Sequence, residues 1–168
     1  IVSKSLRIAG NEMTEDIINF ARDNFNLLLG EKTAEEIKIK IGSAWRLPQP
    51  EEIKMRGRDL LSGLPKEVKV TDSDIRKALA RSIKKITEAV KSVIEETPPE
   101  LVADIMEKGI VLTGGGSLLR GLDILLSKIT QTKVWVADDP LTCVVRGEGI
   151  VLEDLDNLKD VLVPSELA

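Results

Sequence analysis

The sequence predicts an α/β fold, an α/β lobe with an α+β lobe inserted into it. Three stretches carry that expectation. Gly109 to Leu126 runs from a short β-branched apolar segment through three consecutive glycines into leucines at helical spacing. Apolar and charged residues alternate on both sides of Leu60-Leu61-Ser62-Gly63-Leu64-Pro65, the pattern of a two-stranded hairpin. Behind Thr71-Asp72-Ser73-Asp74, a helix-start signal, lies the longest amphipathic repeat in the chain.

Taken in order, Ile1 to Ile8 alternates like a strand already under way. With no initiating Met, it reads as part of something longer. Ala9-Gly10-Asn11-Glu12-Met13 turns into a helix, with Asn11 or Thr14 as cap and Glu12, Glu15 and Asp16 at the positive end of its dipole. Gly30 is placed to terminate it. Thr33 and Glu36 have capping-box spacing and announce a second helix, whereas Ile37-Lys38-Ile39-Lys40-Ile41 alternates as a strand would; the capping box weighs more. On a helix Glu35 and Lys38 share a face; on a strand they do not.

Trp45 to Pro50 is a loop, and the hairpin follows it. The three leucines at the hairpin tip tuck under the loop or remain outside as a partner contact. In the long helix Ile75, Leu79, Ile83, Ile86, Val90, Val93 and Ile94 make the apolar stripe. Its basic far side, interrupted by glutamates, reads first as a solvated face and second as a docking face. Pro98-Pro99 ends it, and a short helix over 100–107 points Leu101, Val102, Ile105 and Met106 inward. Val134-Trp135-Val136 is a strand. Asp139-Pro140 reads as the cap and first-turn proline of a further helix, in which Gly147 and Gly149 allow close packing and Cys143 is a buried thiol. Leu155 to Leu162 closes with an amphipathic turn. Residues 1–10 with 86–168 form the α/β lobe, and 11–85 the inserted one.

Composition bounds the chemistry. Of 168 residues, 42% are hydrophobic and 31% charged, a globular balance without a run long enough to span a bilayer. A net charge of −4 argues against a nucleic-acid partner. No histidine and one cysteine exclude a Ser/His/Asp triad and a His/Cys zinc site; the lone thiol fits a reducing cytosol. At Gly114-Gly115-Gly116 a strand, a glycine bend and a helix bring bare backbone to a sheet edge, as a ligand site would require. A tight turn packing a helix onto its strand explains the same residues. No Gly-Lys-Ser/Thr follows, so this is no Walker loop, and Leu119 breaks the dinucleotide fingerprint.

Ala9 to Met13, Gly30 to Lys38, Thr97 to Leu101, Gly109 to Gly121 and Asp139 to Thr142 together closely resemble MreB, the family of bacterial actins that organises rod-shape wall synthesis. The resemblance covers nearly the whole chain but only the carboxyl-terminal half of an MreB, subdomains IIA and IIB of the actin-like (ribonuclease-H-like) ATPase fold. It implies a filament protein fragment that supplies the adenosine side of an ATP cleft. Gly114, Gly115 and Gly116 match the family's adenosine motif, Glu35 and Lys38 the helix that contacts ribose and base, and Gly10 a backbone position on the phosphate side. It also favours the helical reading of residues 33–41. The phosphate loops, the Mg²⁺-associated acid and the membrane-binding segments belong to the other half, so hydrolysis of Mg-ATP is not expected of this chain alone. Complete relatives polymerise head to tail in the cytoplasm under the inner membrane, and the IIA-like lobe is where the adaptor RodZ docks. Two readings stand beside this one. A sugar or acetate kinase of the same superfamily shares the glycine turn but needs a substrate-binding acid, for which no residue stands out. An interaction module would use the glycines structurally and the basic helix for docking.

Overall fold

The computed structural model describes residues 2–158. Its core is one continuous apolar cluster, Met13, Ile17 and Ala21 meeting Ala34, Ile37 and Ile41, the hairpin's Met55 and Val70, and Ile75, Leu79 and Ile83 of the long helix. Leu119, Leu122 and Leu126 join it from the glycine-turn side.

Helix α1 spans Gly10–Phe25. Asn11 and Thr14 lie inside it and cap nothing; its amino end is Ala9 without a side-chain bond. Thr14 Oγ1 turns back to donate to the Gly10 carbonyl, the habit of a hydroxyl within a helix. Asn26, not Gly30, terminates α1: it takes the left-handed conformation at φ 51°, which Asn tolerates better than most residues. That earlier stop frees Leu27–Leu28 to form β1, a strand the sequence pattern concealed.

Gly30 instead precedes α2, Glu31–Ile41. The segment is helical as expected, but Thr33 sits within the first turn, so the presumed capping box is not its start. Ala34, Ile37 and Ile41 face the core while Ile39 is exposed, which is helical spacing hidden in an alternating string. Strands β2 (Glu52–Asp59) and β3 (Pro65–Thr71) form the hairpin, with Met55 opposite Val68, and β1 extends the sheet antiparallel to β2. At its tip, Asp59 accepts from Leu61 N and Ser62 Oγ. The turn is too short to fold its leucines back, and Leu60, Leu61 and Leu64 are exposed.

Thr71 caps α3 (Asp72–Glu96) through a reciprocal capping box with Asp74. The basic face of α3 is largely neutralised: Arg76 pairs with Asp72, Arg81 with Asp16 and Glu12, Lys77 with Asp74, and Lys84 with Glu88. Asp16 is buried on α1 and also accepts from Ser82, so this ion pair bolts α1 to α3.

The remaining helices bury less. In α4 (Pro99–Lys108) no residue is buried, and Leu101 and Met106, expected inward, are exposed. Strands β4 (Ile110–Leu112) and β5 (Val134–Val136) pair in parallel. Between them a 3-10 turn, Gly115–Leu118, precedes α5 (Leu122–Thr130). The α helix therefore starts later than the leucine spacing suggested, and Leu118 is left exposed. Helix α6 covers Cys143–Glu153 and α7 Leu155–Leu158. Thr142, not Asp139, precedes α6; Asp139 sits in the preceding turn at φ 47°. Cys143 is half-buried, and a methyl on Gly147 or Gly149 would meet open space, so neither the buried thiol nor the close packing is found. The expected turn beyond Leu158 lies outside the described residues. Val2 to Ile8 is not a strand but a mostly exposed segment, its Lys4 Nζ donating to Ser92 Oγ of α3 at 2.7 Å. No described strand runs beside it, and an extended segment without a neighbour has nowhere to place its ladder bonds.

Candidate functional site

A cavity of about 530 Å³ opens between the start of α1, the face of α2 and the glycine turn. Gly10 and Met13 contribute from α1, Glu35, Lys38 and Ile39 from α2, and Gly115, Gly116, Leu118 and Leu119 from the turn, with Leu141 closing one side. Five of the six residues singled out in the sequence line this one space. The sixth, Gly114, makes the bend. It holds φ 78° with ψ 172°, a conformation that a Cβ strongly disfavours. Its N–H donates to the Pro140 carbonyl at 2.8 Å, and its own carbonyl accepts from Ser117 Oγ at 2.6 Å. The N–H groups of Gly115 and Gly116, next in line, open the 3-10 turn and have no earlier carbonyl within it.

Across the gap, α2 presents a compact polar network. Lys38 Nζ donates to Glu35 Oε2 at 2.6 Å, to the Gly10 carbonyl at 2.9 Å and to Thr14 Oγ1 at 3.1 Å. Three donors meet three protein acceptors, so the ammonium is spent within the fold. Nζ also stands 3.2 Å from where a Gly10 Cβ would sit, so the absence of a side chain there gives it room. The family resemblance implies Lys38 as a donor toward ribose and base; in the structure Lys38 lines the cavity while its Nζ meets these three protein acceptors. The reason is local: its side chain is 12% exposed, and an ammonium so largely shielded from water must find acceptors.

Glu35 is the more available group. Its side chain is 43% exposed, and Oε2 takes both Lys38 and Thr14. Among the described residues Oε1 accepts no hydrogen bond, so it is free to accept from a ligand. The Lys38 ammonium, then the Thr14 hydroxyl, holds the Glu35 carboxyl below its ordinary range. It is a fixed anion with one open oxygen.

Sequence reasoning missed two residues. Thr14 is buried one helical turn beyond Gly10, and i, i+4 spacing from that glycine was the available signal. Arg120, inside the glycine-rich motif, reaches back over the end of α2. Its Nη2 donates to the Lys40 carbonyl at 2.7 Å, and Nη1 pairs with Glu51 Oε1 at 2.8 Å. No sequence pattern announces so distant a contact. Among the described residues no group of three or more His, Cys, Asp or Glu side chains is placed to hold a metal ion, and no helix is long and apolar enough to cross a membrane.

These features define an actin-like protein. The fold superposes on MreB5 of Spiroplasma citri, crystallised bound to AMPPNP, with a TM-score of 0.89 and 39% identity over 96% of this chain and 49% of that one. The ADP-bound crystal structure of the same protein matches equally well, with a TM-score of 0.89. The MamK double helical filament, at 22% identity and a TM-score of 0.75, shares the fold. The family model for MreB/Mbl protein matches residues 1–160, and the chain belongs to that family. It is 43% identical to the cell shape-determining protein Mbl of Bacillus subtilis over 94% of its length, and 48% identical to the cell shape-determining protein MreB of Escherichia coli over 93%. It spans about half the length of these relatives, 47% and 45% respectively.

Proposed function

We propose that this chain supplies the adenosine-binding side of the nucleotide cleft in an ATP-binding, cell-shape-determining actin-like filament protein. The observation that carries the reading is the cavity between two walls of different chemistry. One wall is bare glycine backbone with Leu118, Leu119 and Leu141, able to lie against the apolar faces of a purine. The other offers the open Oε1 of Glu35, an acceptor suited to ribose hydroxyls, held in place by Lys38 and Thr14. ATP thus fits the residues present on its nucleoside side. Gly10, whose carbonyl is already engaged by Lys38, stands at the edge from which the phosphates would leave. Phosphate chemistry and Mg²⁺ belong to residues of the complete protein, and this chain alone does not hydrolyse ATP. Crystals of MreB5 with AMPPNP and ADP support the nucleotide class by kinship.

On this reading residues 11–85 are the inserted lobe and the rest of the described chain the α/β lobe. The complete protein self-associates head to tail, an open heterologous contact that generates filaments. It works in the cytoplasm against the inner membrane, and the α/β lobe receives the RodZ adaptor.

The test is a backbone-amide NMR titration of this chain with adenosine, ATP and inorganic triphosphate. Adenosine and ATP are expected to shift the Gly115, Gly116 and Glu35 signals alike, and triphosphate to leave them unmoved. No response to adenosine at millimolar concentration, or a response confined to another face, refutes the reading. Sedimentation of the complete protein with and without ATP tests the filament.

A further inference from the structure

We infer that Arg120 is a positioning residue for this cleft, the latch that fixes the distance between its two walls; the inference rests on the nucleotide reading above. Arg120 follows the glycine turn directly, so its Cα moves with Gly115 and Gly116. Its guanidinium, however, belongs to α2. Nη2 donates to the Lys40 carbonyl at 2.7 Å and Nε to the Gly42 carbonyl at 3.3 Å. These carbonyls lie at the carboxyl end of α2, where backbone acceptors lack helical partners and the dipole is negative. Glu35 and Lys38 occupy the last turns of the same helix. The residue that ends one wall therefore holds the end of the other.

Its main chain reinforces the grip. The Arg120 carbonyl accepts from Ala44 N at 2.8 Å, and Ser43 and Arg120 form an isolated parallel bridge. Gly121, at φ 74°, lets the chain pass so near Trp45 that a Cβ there would stand 2.6 Å from the Trp45 Cβ. The loop leaving α2 cannot drift, because it is anchored on its far side. Arg76 Nη1 donates to Ser43 Oγ at 3.0 Å, and Asp72 Oδ1 accepts from Glu51 N at 3.1 Å. Glu51 in turn receives Arg120 Nη1 at 2.8 Å.

The alternative is a surface ion pair with Glu51 that serves general stability. Both side chains are over a third exposed, so that pair alone contributes little. The two carbonyl contacts need a planar fork, which lysine does not have. Arg120 therefore acts through its hold on α2, and Glu51 is secondary.

The experiment uses this chain with Arg120→Gln, Arg120→Lys and Glu51→Gln, titrated by NMR with ATP and with 2′,3′-dideoxy-ATP. In the wild type ATP binds more tightly, because only ATP offers hydroxyls to Glu35. Arg120→Gln is expected to weaken ATP about tenfold and dideoxy-ATP far less, so that sugar discrimination collapses, since a site whose supporting shell is loosened loses its directional contacts first. Arg120→Lys follows it, and provides the answer if the glutamine variant does not fold. Glu51→Gln keeps the discrimination. Spin labels at Glu36→Cys and Ile124→Cys, in a Cys143→Ser background, report the wall-to-wall distance without nucleotide, and the distribution broadens in both Arg120 variants. Wild-type discrimination in a folded Arg120 variant, or an unbroadened distance, overturns the latch. If the wild type binds neither nucleotide, the cleft reading fails instead, and the spin-label distance alone decides the role of Arg120.

Discussion

Replacing Lys38 by Met separates two roles that look alike in sequence. In the structure the ammonium serves Glu35, Gly10 and Thr14 and has no donor left for a ligand. Its removal takes away one charged contact to a half-exposed carboxylate, contributing about 0.5 kcal/mol after solvent screening. It also removes a second donor from Gly10 O and one from Thr14 Oγ1; the Gly10 carbonyl keeps its helical N–H and Thr14 keeps its own proton, so the further loss is about 0.5–1 kcal/mol for partly buried groups. Lys38→Met should therefore lower unfolding stability by about 1–2 kcal/mol, read as a shift in the urea midpoint at unchanged slope. Glu35→Gln should cost only about 0.5 kcal/mol, because an amide oxygen can still accept from Lys38. Nucleotide binding should show the reverse order. Glu35→Gln replaces the open acceptor with an amide donor and weakens ATP, while Lys38→Met leaves the carboxylate in place and weakens it less. If Lys38→Met abolishes binding and leaves stability untouched, the ammonium contacts the nucleotide directly and the inward network is not its purpose.

Acid should unfold the chain through its fixed carboxylates. Lys38 and then Thr14 lower Glu35; burial raises Asp72, but Arg76 and the Glu51 N–H outweigh it, so both are depressed in the fold. Their contribution is present above the unfolded values near pH 4 and is lost as pH falls through the lower folded ones. The urea midpoint should thus be flat from about pH 8 to 5 and drop below it, less steeply in Glu35→Gln; an unchanged slope in that variant contradicts the pairing. Gly63 and Gly121 share φ 74°, but only Gly121 has Trp45 against it. Alanine should cost about 1–2 kcal/mol at Gly63 and about 1–3 more at Gly121 by denaturation; equal losses remove the close contact. Leu126, 1% exposed, should cost about 2–5 kcal/mol as Leu126→Ala. Amide exchange should be slowest at Met55 and Leu79 and markedly faster at Val111 and through α4 and α6, where nothing is buried.

What was legible in the sequence is what local physics decides. The capping box at Thr71 and the period-two runs around Leu60 to Pro65 need no distant partner, and both appear as read. The failures share a cause. The capping spacing at Thr33 and the alternation of residues 37–41 are both local signals, yet the helix begins at Glu31 and is set by Ala34, Ile37 and Ile41 meeting the core. Gly30 and Asn26 competed to end α1, and glycine's general preference lost to a short strand that pairs with residues thirty positions away. The inward readings of Leu101, Met106 and Cys143 assumed that apolar means buried, which holds only where something covers the residue. At the site, five of the six residues named from the sequence line one gap, whereas the direction of the Lys38 side chain depended on a carbonyl at Gly10 that no sequence pattern displays.

The distribution of burial gives the cleft a mechanical character. The α1, α2 and hairpin side carries most of the core, from Met13 and Ile17 to Met55 and Val70. The glycine wall has a two-stranded parallel sheet of three residues per strand, preceded in the chain by α4 and followed by α6, helices with no buried residue. So short a parallel pair is not stable by itself; it leans on the core through Leu119, Leu122 and Leu126 and through the contacts of Arg120. Glu35 therefore sits on the rigid wall and Gly115 and Gly116 on the compliant one. A ligand that touches both must order the weaker wall against the stronger, so the free energy of that ordering is drawn from binding. Whatever else stiffens the glycine wall should then raise nucleotide affinity without touching the nucleotide, and a contact that loosens it should lower affinity by the same linkage.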